Sequence, residues 1–94
     1  MNTPNSTTSH QVNFQLTLEQ LKHGDKATVL AINVEDELKK RFFALGLKEG
    51  AHIQVLRKAK FGGPMHLRVG TSELILRLKE ASCICLRASV AESV

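Results

Sequence analysis

The residues with the most reactive side chains are sparse in this chain. Cys83 and Cys85 stand two apart around Ile84. That spacing puts both thiols on one face of a strand, opposite Ile84 and Leu86. Two thiolates supply two soft ligands, suited to Zn or Cu(I) more than to Fe(II). A structural zinc site needs four ligands, so the pair alone is incomplete. We therefore expect no metal site, with Cys83 and Cys85 as the weak candidates. His23, His52 and His66 are the other ligating side chains, and nothing in their spacing assembles a site.

Catalytic patterns are absent. No Gly-x-x-x-x-Gly-Lys-Ser/Thr phosphate loop, His-Glu-x-x-His, Cys-x-x-Cys or Gly-x-Ser-x-Gly elbow occurs. Asp25 and Asp36 fall where turn and helix-start residues belong. The expectation is a protein that is not an enzyme and carries no cofactor.

Charge and composition narrow the partners. Lys+Arg number 13 against 9 Asp+Glu, a net charge of +4. Lys39, Lys40 and Arg41 form one basic cluster, and Arg57, Lys58 and Lys60 another, each with acids nearby. A nucleic-acid binder usually shows a denser stripe. There are 4 Phe, no Trp and no Tyr. A base-stacking platform or an aromatic proline-peptide groove cannot be lined with those. With 94 residues the chain is one small domain, too short for a nucleotide-driven motor or a multidomain enzyme. No apolar run approaches the ~20 residues of a spanning helix, so no membrane insertion is expected. Residues 1–13 hold no Lys or Arg and no apolar run, unlike a signal peptide.

The elements that position these residues follow from pattern. Residues 1–13 are polar and predict a disordered tail; 14–88 form the domain; 89–94 fray. Thr17 and Gln20 have capping-box spacing ahead of a helical turn. Residues 26–32 predict a strand with Ala27, Val29 and Ala31 on one face and Thr28, Leu30 and Ile32 on the other. The best helix spans about residues 35–45, with Leu38, Phe42 and Leu45 as its core stripe. Gly46 ends it in a Schellman-like cap that folds Leu47 back on Phe42. Strands follow over 51–58, 65–69, 73–77 and 83–87, with a 59–64 loop, a hairpin turn and a helical turn at 78–82. Phe42 and Phe14 should be core, and Phe43 partly so. Phe61, in a loop with Gly62, Gly63 and Pro64, either folds over the barrel edge or meets a partner. The fold class is all-β with small helices: an SH3-like small barrel of about five strands with one inserted helix.

Four segments carry a family resemblance. Residues 41–50 (Arg-Phe-Phe-Ala-Leu-Gly-Leu-Lys-Glu-Gly) resemble the helix-end signature of the FeoA family: Arg, two apolar residues, Leu-Gly-(Leu/Met), two variable residues, Gly. Residues 55–65 resemble its V-x-R-x-A-P-L-G-x-P loop, with Lys60 where the family usually has Pro. Residues 74–81 resemble its strand-to-turn segment ending in Glu80-Ala81. Leu18, Leu21, Lys22, Gly24 and Asp25 match its opening. Together they span about 16–88, in order.

That resemblance implies a small cytoplasmic SH3-like protein without catalytic activity. It implies contact with the cytosolic GTP-binding region of FeoB, the membrane transporter of ferrous iron. Docking, with homo-oligomers among the assemblies allowed, would then use Arg41, Leu47, Arg57, Lys58, Lys60, Phe61 and Met65. The same fold occurs as a terminal domain of iron-dependent repressors. A small nucleic-acid-binding barrel or a metal-responsive regulatory domain is the alternative.

Overall fold

The computed structural model describes residues 11–91. A single antiparallel sheet of six strands holds them, in the order β1-β6-β2-β3-β4-β5. The strands are β1 (Gln11–Thr17), β2 (Lys26–Ile32), β3 (His52–Lys58), β4 (Met65–Val69), β5 (Ser72–Leu76) and β6 (Ile84–Ala91). Helix α1 (Asp36–Ala44) joins β2 to β3, and the short α2 (Leu78–Ala81) joins β5 to β6. A 3₁₀ turn (Leu18–Gln20) follows β1. The SH3-like, mostly β class holds, with one strand more than the pattern suggested.

The additional strand is β1. Its sequence, Gln-Val-Asn-Phe-Gln-Leu-Thr, alternates polar and apolar residues as a half-buried strand should. Its Asn and Gln content made residues 11–13 look like tail. They pair instead with residues 89–91 of β6, Gln11 with Ala91 and Asn13 with Ser89. Residues 1–10 and 92–94 of the expected tail and frayed end lie outside the described residues. So does the side chain of Phe14.

β2 corrects a second expectation. Ala27 and Val29 are buried, but Ile32 rather than Ala31 joins them. The ladder with β6 shifts between Val29, opposite Leu86, and Ala31, opposite Cys85. Leu30 is the extra residue of a β-bulge, and a single insertion reverses which face the following side chains take. β3 carries a like shift between Val55 and Arg57.

The core lies inside this sheet, under α1 and the 3₁₀ turn. Leu18, Leu47, Met65, Leu67, Ile84 and Leu86 are fully buried in it, with Phe42 from α1. No polar or charged residue is buried among the described residues. α1 ends as its sequence dictates. Gly46, at φ +93°, donates its N–H to Phe43 O, and Leu47 N–H donates to Phe42 O, both at 2.9 Å. These are the paired bonds of a Schellman motif, and they plunge Leu47 into the core. At the 3₁₀ turn, Thr17 N–H donates to Gln20 Oε1 at 2.7 Å. That is the reach-back half of the expected capping box.

Candidate docking surface between α1 and β5

The 59–64 loop is built around a tight reversal. Ala59 N–H donates to Pro64 O at 3.0 Å, and Gly63 N–H to Lys60 O at 3.4 Å. Phe61 at φ +59° and Gly62 at φ +81° occupy the two central positions. Both signs are those of a type I′ turn, whose preferred sequence is Asn-Gly. Phe61 is the sole non-glycine residue with positive φ among those described. Its ring is fully exposed and folds over nothing. Gly63 is required by close approach: a Cβ there would lie 2.5 Å from Ala59 Cβ.

Beside this loop runs a groove of about 820 Å³. α1 forms one wall with Leu38, Arg41, Phe42 and Leu45. β5 forms the other with Leu74, Ile75 and Leu76. Gly62 and Pro64 close one side, and Arg77, Leu78 and Glu80 line the rest. Leu45 was expected in the core stripe, but it caps α1 beyond the buried layer and is 45% exposed. Ile75 is 68% exposed on the same groove. Phe43, expected to be partly buried, is 62% exposed, with Lys48 Nζ 5.2 Å from its ring centroid.

The residues singled out from sequence separate into two groups. Arg41, Arg57, Lys60 and Phe61 are exposed. Of these, Arg41 lines the groove, and Lys60 and Phe61 stand on the adjoining loop. Leu47 and Met65 are fully buried, so neither side chain can touch a partner; their burial is the reason these positions are apolar. Lys58 is half-buried, and its Nζ donates to Glu19 O at 2.6 Å and Leu21 O at 3.0 Å. It satisfies carbonyls at the end of the 3₁₀ turn, where no backbone donor is available.

Sequence reasoning missed the β5 wall. Ile75 takes the outward face between buried Leu74 and Leu76, and an apolar run from Leu74 to Leu76, with Leu78 close behind, gives no local sign of which face α1 leaves open. A second feature also escaped it. Lys26, Arg68 and Arg87 come from three strands to line an open cleft with Thr28, His52 and Gln54. Their spacing in sequence hides this meeting across β6, β2, β3 and β4.

The cysteines and histidines stay apart. Cys83 and Cys85 are half-buried free thiols; Cys83 Sγ lies 3.5 Å from Lys79 O, and Asn33 Nδ2 lies 3.9 Å from Cys85 Sγ. His52 Nδ1 is 3.1 Å from Thr28 Oγ1, and His66 Nε2 donates to Glu73 Oε1 at 2.9 Å. No group of three or more His, Cys, Asp or Glu that could hold a metal ion occurs among the described residues. No helix there is long and apolar enough to cross a membrane.

One six-stranded antiparallel sheet with two small helices, and an open groove between α1 and β5, place the chain in the SH3-like class. The FeoA domain family matches residues 16–88. The chain is 30% identical over 69 residues to Fe(2+) transport protein A of Campylobacter jejuni, covering 73% of this chain and 93% of that one. The solution structure of FeoA from Chlorobium tepidum is 34% identical, with a TM-score of 0.74, over 78% of this chain and 70% of that one. A zinc-complexed FeoA from Stenotrophomonas maltophilia, described as a prokaryotic SH3 domain protein, shares the fold at a TM-score of 0.68. It is 23% identical, over 83% of this chain and 99% of that one. The chain belongs to the FeoA family, the accessory proteins of ferrous iron transport.

Proposed function

We propose that this chain works in the cytoplasm as a non-catalytic accessory of ferrous iron uptake, docking on the cytosolic GTP-binding region of a FeoB-like membrane transporter. The observation that carries this reading is the groove between α1 and β5, lined by apolar and charged side chains together, with Leu45 and Ile75 exposed in it and Phe61 beside it. Burying a side chain of this size yields about 1.5–3 kcal/mol, so a few such residues supply the affinity of a regulatory contact. Arg41 and Arg77 stand on the groove as cations. Exposed ion pairs are worth only about 0.2–1 kcal/mol, so these arginines set orientation and association rate more than affinity. Iron is the transporter's cargo in this reading, and the chain need not bind it.

The test is titration of the full chain against the purified cytosolic region of the cognate transporter, without nucleotide and with GDP or a GTP analogue. Micromolar or tighter binding that is lost in the Leu45→Glu, Phe61→Ala double variant is the expected result. No binding in any nucleotide state removes the proposal.

A further inference from the structure

We infer that the groove takes an extended segment of the transporter's cytosolic region as a seventh strand, added to the free edge of β5. This rests on the docking reading and specifies its chemistry. β5 is the last strand of the sheet, so one of its edges has no strand beside it. The hairpin parity fixes which backbone groups face that edge. Val69 and Ser72 flank a two-residue connection, Gly70-Thr71, with Gly70 at φ +60°. In such a hairpin the flanking pair exchanges both hydrogen bonds, and pairs alternate from there. Ser72, Leu74 and Leu76 therefore bond to β4, opposite Val69, Leu67 and Met65. Glu73 and Ile75 turn their N–H and C=O groups outward. The β3 bonds agree independently: Val55 N–H donates to Asp25 O and Val55 O accepts from Gly24 N–H, so Val55 faces away from β4, its neighbour Gln54 faces β4 and bonds Arg68, and Arg68 turns its backbone groups away from Glu73.

No backbone hydrogen bond from another element reaches Glu73 or Ile75 among the described residues. α1 leaves this edge open, with the groove between them. Natural edges are usually blunted by charge, proline or cover. Here, of the two outward positions, Glu73 carries a charge that is paired with His66 and Arg68 of β4, and Ile75, 68% exposed, carries none. The edge thus presents two outward-facing peptide groups and an apolar side chain on a groove with Arg41 and Arg77. A strand that fits it carries an apolar residue against Ile75 and Leu45, with carboxylates at its ends to meet the arginines. Main-chain bonds would hold such a segment, and the groove would select it.

Hydrogen exchange of the full chain, alone and saturated with the transporter's cytosolic region, tests this. The free chain should exchange the Glu73 and Ile75 amides fast and those of Leu74 and Leu76 slowly. In the complex, the Glu73 and Ile75 amides should slow at least tenfold. Ile75→Pro deletes an outward N–H and no β4 bond, a position where an edge strand tolerates proline. It should weaken binding at least tenfold more than Ile75→Ala does. Should the proline variant misfold, exchange in the wild-type complex decides alone. A complex in which Glu73 and Ile75 still exchange as in the free chain overturns strand addition and leaves docking standing. Absence of any complex overturns both.

Discussion

Phe61 combines two unfavourable features at one position. A fully exposed aromatic ring gains nothing from folding, and a non-glycine residue at φ +59° is held in the left-handed region at a cost of about 1–2 kcal/mol. Strain of this kind persists at sites selected for something other than stability. Phe61→Asn creates the Asn-Gly pair that a type I′ turn prefers. It should raise stability by on the order of 1 kcal/mol in urea unfolding, while weakening binding to the transporter region. A loss of stability would show that the Phe61 ring supports the fold. Lys58 behaves in the opposite way. Its ammonium serves the carbonyls of Glu19 and Leu21, so Lys58→Met should cost about 1–3 kcal/mol of stability. Binding measured per folded molecule should be unchanged.

Among the elements, α1 shows what sequence can and cannot disclose. Its start, its end and the Gly46 cap follow from local chemistry, and the structure reproduces them. Leu47→Ala should cost about 2–5 kcal/mol by opening a cavity, and Gly46→Ala about 1–2 kcal/mol through backbone strain alone, since nothing lies closer than 3.7 Å to its added Cβ. Thermal or urea unfolding checks both. The family-motif positions Leu47 and Met65 looked like contact residues because a motif does not distinguish residues kept for packing from residues kept for a partner. β1 was hidden for a different reason: alternation was present, but in a polar composition. The parity of β2 was hidden by the bulge at Leu30, which leaves no mark in a single sequence. The β5 wall was hidden because the face that α1 leaves open is a property of the whole fold.

For the whole molecule, the distribution of features matters more than any one of them. An apolar interior, without a buried charge among the described residues, holds the six-stranded sheet. Among the concave surfaces outside it, two differ in chemistry. The groove between α1 and β5 sets the exposed apolar Leu45 and Ile75 among Arg41, Arg77 and Glu80, and the cleft of Lys26, Arg68 and Arg87 gathers three basic side chains. Docking through the first predicts weak salt dependence, because burial of Leu45, Ile75 and Phe61 dominates the affinity. Docking through the second predicts steep salt dependence. Raising salt from 50 to 300 mM should therefore change the affinity for the transporter region only a few-fold by calorimetry. Arg87→Gln should leave it unchanged.

The most direct measurement is a chemical-shift map of the isotopically labelled full chain titrated with the transporter's cytosolic region. The predicted shifts centre on Arg41, Leu45, Phe61 and Glu73 to Arg77, with Lys26 and Arg87 undisturbed. Shifts that gather instead on Lys26, His52, Arg68 and Arg87, with the α1–β5 groove silent, would contradict the account.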